Sequence, residues 1–135
     1  MTPTFDTKIA IVLDESLPTW QKVNVAAFLF SGFGTVGERY RDADGNEYLP
    51  MLREPVMVFG ADAAGVRRAY DRARARGVQE LAIFTRELFD TLDDEANRAA
   101  VAVVRADDLD LVGVALRADR KTVDRILDKA RPLSD

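Results

Sequence analysis

The sequence predicts an α/β domain built as a small open sheet flanked by helices, and two observations carry that expectation. Three largely apolar runs of strand length stand at 8–13 (KIAIVL), 54–59 (EPVMVF) and 80–85 (ELAIFT). Two stretches of helical periodicity, 19–30 and 62–76, lie between them. Strands alternating with helices in this order form layered folds with crossover connections. The 135 residues suit a single domain over 1–135, and a hydrophobic content of 47% supplies a core without disulfides or metal.

Each element has a local cause. Residues 8–13 hold an apolar run with β-branched Ile9, Ile11 and Val12, as in a strand buried on both faces. Pro18 suits the first turn of a helix, where a missing N–H costs nothing, and Val23, Ala26, Ala27 and Phe30 follow at helical spacing. Trp20, Val25, Phe28 and Leu29 widen the apolar sector of this helix, which predicts cover on both sides: the sheet on one, another layer or a partner subunit on the other. Asp44-Gly45 between Tyr40 and Tyr48 signals a peripheral hairpin. Asp62 caps the second helix, whose inward stripe is Val66, Ala69, Tyr70 and Ala73 and whose stop is Gly77. Residues 93–104 read two ways, since Asp93-Asp94-Glu95 opens like a helix while Val101 to Val104 suits a strand; a short helix is favoured. Residues 109–116 form a further strand, and Asp119 caps a last helix with Val123, Ile126, Leu127 and Ala130 inward, ended by Pro132.

Composition removes whole classes of chemistry. With no cysteine and no histidine, thiolate and imidazole catalysis fall away, together with the ligand sets of zinc and iron–sulfur sites. No metal or cofactor motif is found. A net charge of -4 argues against broad nucleic-acid binding. No apolar run is long enough for a membrane span or a signal-peptide core, so a cytoplasmic protein is expected. The arginines at 67, 68, 72, 74 and 76 spread around the side of their helix opposite the inward stripe, as a solvated face would.

In an open α/β sheet, ligands bind at the carboxyl ends of strands. Lys22 and Asn24, polar residues among apolar ones at the start of the first helix, are therefore the lead candidates, Lys22 also as a catalytic group. Asp14 and Glu15 end the same strand and can pair with Lys22. Thr85 and Asn97 reach the same edge if the strands run parallel. Backbone capping and solvation are the competing roles for every one of these residues.

Residues 8–13, followed by Leu17-Pro-Thr-Trp-Gln-Lys-Val-Asn-Val-Ala-Ala-Phe-Leu and later by Leu109-Asp-Leu-Val-Gly-Val-Ala-Leu with its closing helix, carry a family resemblance. The chain resembles the bacterial domain-of-unknown-function family numbered two thousand, which is related in fold to the type II peptidyl-tRNA hydrolases. That resemblance implies a three-layer α/β/α sandwich with a small mixed sheet, its last strand antiparallel, and a homodimer. The hydrolases carry Gly-Lys-Gly-Lys-x-Ala-Ala-Gln where residues 21–28 stand here. Lys22 keeps one lysine, but Asn24 replaces the second, Phe28 the glutamine and Ser31 the histidine that follows. Thr85-Arg86-Glu87 stands where their Asp-Ala-Gly follows the third strand. The resemblance thus implies the fold, with Lys22 as a remnant of the site, without the tRNA activity.

Three functions compete at this stage. The first is binding of a small polar or anionic ligand near Lys22, Asn24, Thr85, Asn97 and Asp14. The second is ester or amide hydrolysis, with Lys22 polarising the carbonyl and Asp14 or Glu15 activating water. The third is a homo-oligomeric interaction module using the apolar first helix.

Overall fold

A computed structural model describes residues 6–34, 36–128 and 130–134. Strand β1 (Thr7–Asp14) leads into helix α1 (Thr19–Phe30), then the short hairpin β2 (Tyr40–Arg41) and β3 (Glu47–Tyr48). Strand β4 (Val56–Ala61), helix α2 (Ala63–Ala75) and strand β5 (Glu80–Thr85) follow. A 3-10 turn (Arg86–Asp90) precedes helix α3 (Asp94–Ala102), and a second 3-10 turn (Ala106–Asp108) precedes strand β6 (Leu111–Asp119). Helix α4 (Arg120–Ile126) and strand β7 (Arg131–Pro132) end the chain.

Five strands form one mixed sheet in the order β5-β6-β1-β4-β7. β1 pairs parallel with β4, and β6 pairs antiparallel with both β1 and β5. β5 thus runs parallel to β1 with β6 between them, and the carboxyl ends of β1, β4 and β5 share one edge.

The uninterrupted apolar character of β1 reflects burial on both faces. Ala10 and Val12 join Val66, Ala69 and Tyr70 of α2 and Val123 and Ile126 of α4 in one core. Ile11 and Leu13 join Val25 and Leu29 of α1 in the other. The result is helix, sheet, helix. Val25 and Leu29 are almost inaccessible, and each stabilises the fold by roughly 1.5–3 kcal/mol.

Capping sets the helix starts where the sequence places them. The Asp62, Asp93 and Asp119 carboxylates accept from the backbone N–H of Gly65 (2.8 Å), Ala96 (2.7 Å) and Thr122 (3.1 Å). The ambiguous 93–104 stretch is therefore a helix. Gly45 (φ 88°) turns the hairpin and Gly77 (φ 71°) closes α2, both in the left-handed region that glycine enters freely.

Four expectations need correction. Pro18 is the residue before α1, not in its first turn, and its carbonyl accepts from the N–H of Gln21 and Lys22 at 3.0 and 3.1 Å. β4 starts at Val56, because Glu54 turns away into an ion pair and Pro55 has no N–H to donate. The last helix ends at Ile126, and Pro132 belongs instead to edge strand β7 beside β4, where the missing donor is tolerated. The arginines of α2 are not merely solvated. Arg67 donates to the Ala106 carbonyl (2.9 Å), while Arg72 reaches the carbonyls of Arg125 and Ile126 at the end of α4 (3.4 Å each).

Candidate functional site

A groove opens beside β5, between α1 on one side and α3 with the preceding 3-10 turn on the other. It has two adjoining parts. An apolar slot of about 480 Å³ runs over Ala82 and Ile83 between Leu29 and Val101. A cavity of about 310 Å³ nearer the strand end is lined by Trp20, Asn24, Phe89 and Thr91, among others. Both parts share Phe28, Phe84, Leu88, Asp94 and Asn97.

Helical spacing explains which side chains arrive there. Trp20, Asn24 and Phe28 lie four residues apart and so descend one flank of α1, while Val25 and Leu29 point into the sheet. Asn97 and Val101 repeat that spacing on α3. The floor is β5, where the register shifts between Phe84 and Thr85 and the N–H of Arg86 reaches the Asp110 carbonyl (3.0 Å). That irregularity ends the pairing and turns the chain into the 3-10 segment carrying Leu88 and Phe89.

The polar groups of the groove are partly committed. Thr91 Oγ lies 3.0 Å from the Leu88 carbonyl and also in contact with the Asn97 amide. One hydroxyl proton cannot serve two acceptors. The hydroxyl therefore serves the Leu88 carbonyl or the Asn97 Oδ1 in turn, and the Asn97 side chain is held at Thr91. Asn24 makes no hydrogen bond to another described residue. Asp94 pairs with Arg98 one turn along α3.

The sequence candidates divide. Asn24 and Asn97 come together in the groove. Lys22 does not join them, because two residues along a helix is about 200° of rotation, which carries it to the opposite flank of α1. Asp14 is buried and committed to the turn after β1, its Oδ1 accepting from Ser16 N (2.9 Å) and Ser16 Oγ (2.8 Å). Thr85 is buried at the end of β5 and lines neither part of the groove. Glu15 also lies outside it. Sequence reasoning missed Phe84, Phe89 and Asp94, and it read Trp20 and Phe28 only as an apolar face. The signal was present in the spacing of 20, 24 and 28, an amide between two aromatics on one flank.

At the far edge of the sheet Glu54 is 3% exposed and accepts from Arg117 Nε (2.9 Å) and Thr7 Oγ1 (3.0 Å). Arg117 also donates to Glu80 (2.8 Å), so one guanidinium ties β6 to β5 and to the segment before β4. The Arg117 bond holds the Glu54 carboxyl below its ordinary value. Every charge in this group has its partner, which suits a structural clasp. Among the described residues no group of three or more acidic side chains is arranged to hold a metal ion.

The model of a family described as proteins of unknown function, DUF2000, matches residues 7–133. The chain belongs to this family. A solved structure of a protein of unknown function from Agrobacterium tumefaciens strain C58 has the same fold, with a TM-score of 0.92 and 40% identity. The match covers 97% of this chain and 100% of that one. No curated protein matches the chain. Membership in DUF2000 thus agrees with the α/β architecture and assigns no activity. No helix of the described residues is long and apolar enough to cross a membrane.

Proposed function

We propose that this DUF2000 protein binds a small amphipathic molecule in the groove between α1 and α3. One observation carries the reading: two adjoining cavities, of about 480 and 310 Å³, combine an apolar floor with the amides of Asn24 and Asn97. Ligand sites are typically of this size, apolar with a few placed polar groups. Of the polar and anionic ligands left open by the sequence, the anionic class loses support. Asp93 and Asp94 line the groove, and its one arginine, Arg98, is held by Asp94. Hydrolysis through Lys22 is not favoured, since Lys22, Asp14 and Glu15 stand outside the groove.

Thermal-shift measurement against nucleosides, amino acids, amines and sugar phosphates tests the proposal. A ligand at about 100 times its dissociation constant adds roughly 2.7 kcal/mol of stability. The expected result is a shift that weakens in Asn24→Ala and Asn97→Ala. A shift unchanged in both variants, or none in any class, overturns it.

A second reading is a homodimer through α1, favoured by the exposure of Trp20 (63%) and Val23 (64%) on its outer side. Sedimentation velocity across concentration tests it, and a monomer throughout would refute it. The kinship to type II peptidyl-tRNA hydrolases is proposed for the fold alone, supported by the helix, sheet, helix layering and the antiparallel β6. We further read residues 1–135 as one domain working in the cytoplasm, where a cysteine-free composition suits reducing conditions.

A further inference from the structure

The two parts of the groove differ in chemistry. The cavity near the start of α3 is lined by four aromatic rings and two carboxylates, with no lysine or arginine among its lining residues. The rings form an unbroken series. Trp20 lies 6.1 Å from Phe89, Phe89 lies 5.0 Å from Phe84, and Phe84 lies 6.2 Å from Phe28, centroid to centroid. Their planes meet at 66°, 49° and 51°, so successive rings pack edge-on or tilted against one another along the cavity lining and not as a parallel stack.

Aromatic faces carry negative potential and attract cations, most strongly where water is excluded. Phe84 is 4% exposed, which fixes one wall of the box within the core. Asp93 gives one carboxylate oxygen to the N–H of Ala96 and keeps its negative charge at the rim. The partial positive charge at the start of α3 is already answered by Asp93, Asp94 and Glu95. Asn97 adds its side-chain amide to the cavity lining beside the rings. Beyond this box the groove continues as the apolar slot between Leu29 and Val101.

We propose that the groove takes an organic ammonium ion with an apolar tail. Its alkylated nitrogen sits among Trp20, Phe28, Phe84 and Phe89 beside Asp93, and its tail lies along the slot. An alkylated nitrogen fits better than a primary amine, because a bare ammonium is strongly hydrated and an aromatic lining cannot replace its water. An anion of the same shape meets the carboxylates of Asp93 and Asp94. This inference rests on the reading of the groove as a ligand site.

Isothermal titration of the full chain with three probes of equal tail tests it: hexyltrimethylammonium, hexanol and hexanoate. The expected order places the cation roughly tenfold tighter than hexanol, with hexanoate weakest. Trp20→Leu and Asp93→Asn are each expected to weaken the cation roughly fivefold more than they weaken hexanol. Asn caps a helix as Asp does, so Asp93→Asn removes charge and keeps α3, and Trp20 is exposed enough for its variant to fold. Equal binding of cation and hexanol, or cation binding indifferent to both substitutions, overturns the cation inference and leaves the groove standing. Tightest binding of hexanoate also overturns it. If none of the three binds, the cation inference falls, and the reading of the groove as a ligand site stands or falls on the thermal-shift measurement alone.

Discussion

Gly113 marks the closest approach of α1 to the sheet. A Cβ at this position would lie 2.6 Å from Val25 Cγ1 and 3.0 Å from Leu29 Cδ1, and both of those side chains are locked in the core. Gly113→Ala must therefore push α1 outward or force its rotamers, at a cost of about 1–3 kcal/mol. Urea denaturation reads the loss, and a variant as stable as the parent would mean that α1 shifts freely. Asp93 is the second residue with a separable role. Asp93→Ala removes the cap of α3 and is expected to cost about 1 kcal/mol, while Asp93→Asn keeps the cap and most of that stability. At this scale the groove was half legible. Asn24 and Asn97 stand out as amides among apolar neighbours, so their type betrays them. Phe84 and Phe89 do not, because an aromatic at the end of a strand or just after it reads as core, and only the bend after Thr85 brings both to one cavity. Lys22 and Asn24 read as one cluster in sequence, but the two-residue step between them amounts to about 200° of helical rotation, which separates Lys22 from the groove.

Among elements, β6 is held at its carboxyl end by the Arg117 clasp. Arg117→Ala would leave the buried Glu54 without its main partner, with only the Thr7 hydroxyl and the charge of Arg53 to stabilise it, and the expected loss is about 3 kcal/mol. The same clasp sets a pH dependence. The Glu54 carboxyl titrates below its ordinary 4.5 because Arg117 stabilises the charged form. Its contribution is fully present above about pH 4.5 and disappears as pH falls from there through the lower folded value. Thermal melts between pH 6 and 3 should therefore fall less steeply in Glu54→Gln than in the parent. An identical pH profile would show that Arg117 does not hold Glu54 in its charged form. β-branched runs and aspartate caps made most elements readable, since each is decided within a few residues. β7 was not readable, because Arg131 and Pro132 carry no strand pattern and pair with β4 only once the sheet exists. The clasp was hidden likewise, with 63 residues separating Glu54 from Arg117.

The whole molecule adds what no segment contains: β5 lies parallel to β1 across an intervening β6, and this brings α3 alongside α1 to make the groove. Strand order is set by long-range pairing, so the sequence gives the alternation of elements and leaves this juxtaposition unstated. α1 then has three sides with three roles. Val25 and Leu29 meet the sheet, Asn24 and Phe28 meet the groove, and Val23 stands on the outer side. Trp20 belongs both to the groove and to the exposed apolar area. Substitution can separate the roles. Val23→Glu places an unpaired charge in the proposed dimer contact and should weaken self-association by more than about tenfold, since roughly 1.4 kcal/mol suffices for that factor, while ligand binding persists. Asn97→Ala should do the reverse, lowering affinity for the ligand and leaving the sedimentation coefficient unchanged. Trp20→Glu should impair both. If Val23→Glu and Asn97→Ala each abolished both properties, the outer side of α1 and the groove would be one coupled surface, with ligand and partner competing for or completing the same site.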